Sequence, residues 1–183
     1  DVRLPFAVFS FGNALLTRHP VLGTRPVGLP PHSSIEALAA GAKTASVVEL
    51  DTPLGPVSVV PVHLEPRDGA TRRAALPVLD SLRRAEAPPL LLAGDFNASP
   101  PGWPRAADTT AVGELLERGW RSPRARGEPG PGELTYPLPD PRVAIDWILA
   151  EPPLRVAEAR VLEADPTLSD HAPVLAVIRT WQR

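Results

Sequence analysis

The chain has neither cysteine nor methionine among its 183 residues. Without thiols, disulfides, thiolate metal sites and a cysteine nucleophile are excluded, and thiol usage says nothing of compartment. No charge of one sign dominates: 19 basic side chains face 21 acidic ones, for a formal net charge of -2. No bulk field therefore draws the protein onto a polyanion, so nucleic acid is allowed as a substrate but not announced by charge. No apolar run approaches the ~20 residues that span a bilayer, and the opening residues lack a charged segment followed by an apolar one. The reading is a soluble chain without stable membrane insertion, with the cytoplasm slightly favoured and secretion left open. Lacking methionine and beginning at Asp1, the chain is expected to be a fragment, a processed product or a truncation.

Proline is what the sequence has in excess, with 25 residues against a usual share of ~5%. The prolines are spread among apolar runs, so they read as rigid loops joining short elements rather than as disorder. The length suits one domain over residues 1–183. No internal repeat or linker marks a second one.

Short strands are expected to outnumber helices. Ala14, Leu15 and Leu16 form a short apolar run between turn-forming residues, which predicts a strand, and Pro26 to Pro31 reads as a loop. Ala45 to Leu50 and Val57 to Leu64 are valine-rich and separated by the turn-forming residues 51–56, which predicts a hairpin. Arg72 to Ala85 has helical spacing in Ala75, Leu76, Leu79 and Leu82, with Pro77 expected to bend or shorten it. Leu90 to Ala93 reads as a central strand ending at Gly94 and Asp95. Asp108 or Thr109 can cap a helix running to about Arg118, with Gly119 as its stop. Residues Arg121 to Pro141 read as a long loop, and Val143 to Ala150, Arg155 to Leu162 and Pro173 to Thr180 as strands. This pattern fits a sandwich of sheets flanked by helices better than a doubly wound fold.

Three stretches carry the candidate chemistry. Gly94-Asp95-Phe96-Asn97-Ala98-Ser99-Pro100 follows the apolar strand directly. At a strand end, Asp95 and Asn97 can serve one bound group, the carboxylate orienting or deprotonating a water and the amide holding that water or a phosphoryl oxygen. An Asx turn satisfying only local backbone is an equal reading of the spacing. In Leu168-Ser169-Asp170-His171-Ala172-Pro173, the adjacent Asp170 and His171 project differently in an extended chain. One can ligate a metal while the other faces a substrate oxygen. Taken by itself, that dipeptide reads better as a capping Asp beside a surface His. Asp146 interrupts the apolar strand Ala144-Ile145-Asp146-Trp147-Ile148-Leu149 and needs a partner there, for which His171 is the best choice. Trp147 reads as core. His63, at the end of a valine-rich run, is a candidate second cation and Asn13 a candidate contact, though each alone reads better as a surface or turn residue. Arg118, Arg121, Arg124 and Arg126 read as a solvated loop diluted by Glu117 and Glu128.

Taken in order from about Gly12 to Ile178, these segments resemble the endonuclease/exonuclease/phosphatase superfamily, which includes deoxyribonuclease-like nucleases, inositol polyphosphate phosphatases and bacterial sphingomyelinases. The resemblance rests on the Gly12 to Arg18 stretch, the His63 strand, the Gly-Asp-Phe-Asn turn, the Ile-Asp-Trp-Ile strand and the closing Ser-Asp-His-Ala-Pro. It implies a DNase-I-like four-layered α/β sandwich and metal-assisted attack of water on phosphorus. By that resemblance Asp95 activates water, Asn97 positions nucleophile and phosphate, Asp146 pairs with the catalytic His171, and His63 contacts the phosphate. Asn97, His63 and Asn13 are the implied substrate contacts, and Asp170 and Asp95 the metal-site carboxylates. Oxygen ligands favour Mg²⁺, with Mn²⁺ as substitute.

One departure counts against a complete site. Members of this family begin with a strand bearing an asparagine and a helix leading to a Gln-Glu pair whose glutamate is the principal metal ligand, and neither precedes Gly12. The expectation is a Mg²⁺-dependent phosphoester hydrolase of phosphodiesterase, nuclease or phosphatase type, crippled as it stands. An exposed sheet edge open to self-association is a further expectation. The competing reading is an inactive fragment or binding module retaining the fold's later half. The substrate stays open among nucleic acid, a phosphorylated small molecule and a lipid headgroup. The near-neutral charge leans away from DNA repair and toward a bacterial-type phosphoesterase.

Overall fold

Valines at 57, 59, 60 and 62 make both faces of one strand apolar, the pattern of a strand covered on two sides. The computed structural model, which describes residues 2–3, 10–30, 44–85, 88–103, 110–125, 130 and 132–180, places that strand in the middle of a five-stranded sheet. The strands are β1 (Val2–Arg3), β2 (Ser10–Phe11), β3 (Val21–Gly28), β4 (Thr44–Thr52), β5 (Gly55–His63), β6 (Leu90–Asp95), β7 (Asp146–Ala150), β8 (Leu154–Val161) and β9 (Val174–Thr180). The helices are α1 (Gly69–Ala85) and α2 (Thr110–Glu117), followed by a 3-10 turn at Pro123–Ala125.

The large sheet runs β3-β4-β5-β6-β7. Its β5–β6 pair is parallel and its other pairs antiparallel. The chain between the parallel strands crosses over through α1, as a parallel pair requires. On one face, Val60, Val62, Leu90, Leu92, Trp147 and Leu149 pack with Leu76, Leu79 and Leu82 of α1 and with Val112 and Leu115 of α2. On the other face, Val57, Val59, Leu91, Ile148 and Ala150 pack against Leu154, Val156, Ala176 and Ile178 of the antiparallel β8–β9 sheet. The result is an α/β sandwich of two sheets, three of whose layers are formed by the described residues.

The β4–β5 hairpin lies where the sequence puts it, with Leu50 opposite Val57. Helix α2 ends as predicted at Gly119, which takes a φ of 98° while its N–H bonds the Leu116 carbonyl and that of Trp120 bonds Leu115. This paired closure of the last turn is a Schellman motif. Candidate caps Asp108 and Thr109 lie outside the described residues, as does Arg126.

Other expectations are corrected. Residues 12–17 form no strand: Leu16 is 92% exposed, and after β2 the regular structure resumes only beyond Pro20 at β3. Three consecutive apolar residues without alternation do not define a face to bury. Strand β3 instead continues through Pro26, opposite Ser46, because it lies at a sheet edge where a missing N–H is tolerated. Helix α1 starts earlier than its apolar spacing indicates, since Asp68 caps it by accepting the N–H groups of Ala70 and Thr71. Pro77 lies inside α1 without ending it. Pro77 lies on the exposed face of α1, where its ring and missing N–H meet solvent rather than the packed core.

Gly94 has a φ of 138°, and a Cβ there would collide with the Val62 carbonyl of the neighbouring strand. Gly94→Ala is therefore expected to lower stability by about 2 kcal/mol or more, read as a fall in the urea unfolding midpoint. An unchanged midpoint would show that the β5–β6 approach is not tight.

Candidate functional site

Strand register builds the site. Along β5, β6 and β7, the row Val59, Leu91 and Ala150 is followed by Pro61, Ala93 and Ile148, and then by His63, Asp95 and Asp146. Residues directly opposite in neighbouring strands share a face, and that face repeats every second residue. The three polar groups thus extend a row of apolar positions to the end of the sheet, on the side covered by β8–β9.

The Gly-Asp-Phe-Asn turn fixes Asp95. One carboxylate oxygen accepts the Asn97 N–H at 2.7 Å, the other accepts the Asn97 side-chain amide at 3.0 Å, and that amide also donates to the Leu64 carbonyl at 3.1 Å. Asn97 reaches this arrangement at a φ of 48°, a conformation asparagine tolerates better than most residues. As placed, both amide protons hold Asp95 and the chain after His63. Holding a phosphoryl oxygen would require exchanging one of these bonds. The turn is stapled to the strand beside it by the Phe96 N–H on the Ile145 carbonyl and the Trp147 indole on the Ala98 carbonyl, 2.8 and 2.9 Å.

Asp146 and His171 meet, with the carboxylate 2.9 Å from the imidazole Nδ1. His63 Nε2 stands 3.8 Å from Asp95, on a largely exposed ring. Asn13 donates its amide to the Pro61 carbonyl at 3.0 Å, bringing the irregular 12–17 stretch alongside the same strand end. Asp170 is exposed, with its backbone carbonyl bound by the Leu138 N–H. A cavity of about 350 Å³ opens beside the dyad, with Gly94, Asp146, Ile148, His171 and Val174 in its wall.

Burial pushes the Asp95 carboxyl above its ordinary value. The Asn97 N–H and the two imidazoles oppose that rise, while Asp146, directly across the ladder, adds to it. Burial pulls the His171 imidazole down, but the hydrogen bond and charge of Asp146, aided by Asp95 and Asp170, lift it above its ordinary value overall. The site therefore sets two facing carboxylates in different company, one with an amide and one with an imidazole.

Among the described residues a divalent ion does not find a complete donor set: no three His, Asp or Glu side chains converge as metal ligands. Asp95 and Asp170 do not make a site by themselves.

Four residues matter that the sequence reading did not single out or assigned elsewhere. The Tyr136 ring lies 4.7 Å from the His171 ring, and the Thr135 carbonyl accepts the Ala172 N–H. The long 121–141 loop therefore carries residues that hold the His171 segment. Arg72, in α1, is buried and donates to the Glu65 carbonyl, just beyond His63. Arg124 was expected in a solvated loop but is 4% exposed. Burial lowers its pKa, against the raising effect of Glu133 and Asp146. No local pattern announces a buried arginine, because its acceptors are carbonyls distant in sequence.

The sequence profile of the endonuclease/exonuclease/phosphatase family matches residues 7–171. The chain belongs to that family. Its solved relatives include an endonuclease/exonuclease/phosphatase from Beutenbergia cavernae (24% identity, TM-score 0.65, covering 90% of this chain and 46% of that one). A family protein from Leptotrichia buccalis aligns at 16% identity and a TM-score of 0.65, covering 89% and 63%. Sphingomyelinase C from Streptomyces griseocarneus aligns at 18% and 0.57, covering 87% and 65%. The chain thus spans about half to two thirds of the length of these proteins, and at such identities the likeness concerns the fold. Among curated proteins none matches this chain. Members of this endonuclease/exonuclease/phosphatase family are hydrolytic phosphoesterases that generally use divalent metals. No helix among the described residues is long and apolar enough to cross a membrane.

The dyad makes a pH-dependent prediction. Because the folded-state value of His171 lies above the unfolded one, its pairing stabilises the fold fully below the unfolded value of ~6.5 and loses that contribution as pH rises through the folded value. In Asp146→Asn, an NMR titration should show a lower His171 pKa, and the urea-stability gap to the parent should narrow across the same window. A gap independent of pH would mean that the pair does not hold the imidazolium in solution.

Proposed function

We propose that the chain carries most of the site of a divalent-metal-dependent phosphoester hydrolase in which water attacks phosphorus. The observation that supports this reading best is the pair of opposed carboxylates at the sheet end, Asp95 tied to Asn97 and Asp146 tied to His171. Environments that distinguish two neighbouring carboxylates are how one site obtains two roles.

In this reading Asp95 orients the attacking water and takes its proton, helped by a pKa displaced toward neutrality. Asn97 keeps the carboxylate aimed and, on exchanging one of its bonds, contacts the phosphoryl group. Asp146 engages Nδ1 of His171, so Nε2 is the ring nitrogen left for a phosphoryl oxygen on which charge develops. His63 adds a second imidazole on the Asp95 side, and Asn13 extends the substrate contacts along the same edge. Asp170, with Asp95, would contribute carboxylate oxygen toward Mg²⁺ or Mn²⁺. When bound, the ion would polarise the phosphoryl oxygen. The donor set described above is incomplete for it, so no step is assigned through the ion.

The cavity and near-neutral net charge suit a phosphodiester or phosphomonoester of modest size better than a long polyanion. The incomplete donor set supports a second reading, in which this chain alone binds a phosphoester without turning it over.

Hydrolysis of bis-p-nitrophenyl phosphate, p-nitrophenyl phosphate and plasmid DNA, with Mg²⁺, Mn²⁺ or EDTA, separates the two. Turnover is expected only with added metal, and Asp95→Ala or His171→Ala should each lower kcat by roughly 10²- to 10⁴-fold, the range for loss of a general acid or base. A folded chain that binds inorganic phosphate without turnover would replace the first reading with the second.

A further inference from the structure

We propose that Arg124 is a positioning residue for the dyad, holding Asp146 at the sheet end from the opposite face of β7. Asp146 and Trp147 are consecutive in an extended strand, so their side chains point to opposite faces. Asp146 turns toward β8–β9 and His171, whereas Trp147 turns into the core beneath the helices. The Arg124 guanidinium lies 4.9 Å from the Trp147 ring centre on that second face. From there one arm donates to the Asp146 carbonyl at 2.9 Å and the other to the Glu133 carbonyl at 2.6 Å.

This is a costly way to satisfy two carbonyls. A buried cation loses its hydration, and the usual compensation is a carboxylate in direct contact. Here the contacts are neutral carbonyls and an aromatic face, and the buried Nε has no hydrogen-bond partner among the described residues. Glu133 and Asp146 act on Arg124 as charges, but its hydrogen bonds go to their backbones.

What the arrangement provides is geometry. A planar fork fixes two acceptors relative to each other more tightly than a single flexible donor. One acceptor is the backbone of Asp146 itself. The other lies two residues before Thr135, whose carbonyl bonds the Ala172 N–H, and three before Tyr136, whose ring lies against His171. Arg124 therefore joins both halves of the dyad through the backbone, touching neither the imidazole nor the carboxylate. Its effect on turnover rests on the hydrolase reading; its effect on the Asp146–His171 hydrogen bond does not.

The test uses Arg124→Gln and Arg124→Lys in the full chain, each followed by thermal unfolding, by the NMR signal of the His171 Nδ1 proton, and by kcat and KM on bis-p-nitrophenyl phosphate. In Arg124→Gln the proton signal is expected to broaden or vanish while unfolding stays cooperative, and kcat should fall about a hundredfold at unchanged KM, the scale of a small misplacement of reacting groups. In an Asp146→Asn background the same substitution should cost kcat far less than in the parent, since the dyad whose two halves Arg124 aligns is already broken. An equal kcat loss in both backgrounds, or a sharp, unshifted proton signal in a folded variant, would overturn the proposal. If Arg124→Gln does not fold, Arg124→Lys decides by the same signal, because it keeps the charge and loses the fork. If the parent chain shows no turnover, the hydrolase reading is what fails, and the proton signal alone decides the role of Arg124.

Discussion

Two carboxylates facing each other across a strand pair are the constraint around which the site is organised. Asp95 and Asp146 are directly opposite in the β6–β7 ladder and less than a fifth exposed. Like charges so placed repel, and burial weakens the solvent screening that would relieve them. The surroundings answer by treating the two differently. Asp95 receives an amide and a backbone N–H from its own turn and Asp146 receives an imidazole from a distant segment, while burial above all, with the repulsion of Asp146 added, leaves the pKa of Asp95 raised.

The same division explains why the supporting residues lie where they do. A carboxylate held only by its own strand would be free to swing away from its neighbour. The Asn97 turn and the indole of Trp147 pin the β6 side. Thr135, Tyr136 and Arg124 brace the segments carrying the β7 side. Arg72 does a related job one strand over, where its guanidinium reaches the carbonyl of Glu65 behind His63. Two buried arginines thus serve as backbone braces close to imidazoles and carboxylates that are only partly buried.

Much of this frame is legible in the sequence because it depends on local pattern. Alternating valines announce β4 and β5, an unbroken apolar run announces β6, and a lone aspartate in an apolar strand announces that something must face it. The misses share one cause. Ala14–Leu16 is apolar, but whether an apolar run becomes a strand depends on a surface to cover, which no local window contains. Pro77 is a helix breaker by propensity, yet it lies on the exposed face of α1, where its ring displaces nothing in the core. The value of Arg124 lies in carbonyls 9 and 22 residues further along the chain, and nothing in its neighbourhood encodes that distance.

The β5–α1–β6 crossover gives the molecule two poles of unlike character. His63 and Asp95 sit at one pole, whereas the β4–β5 turn and the β7–β8 turn lie at the other, where Asp80, Arg83, Arg118 and Glu151 knit α1, the end of α2 and the end of β7 together. The exposed Leu54 in the β4–β5 turn is a full strand length from the carboxylates. It is therefore a natural tether point: a dye, a surface linker or a fused domain attached there would leave the mouth of the cleft facing away from whatever holds the protein.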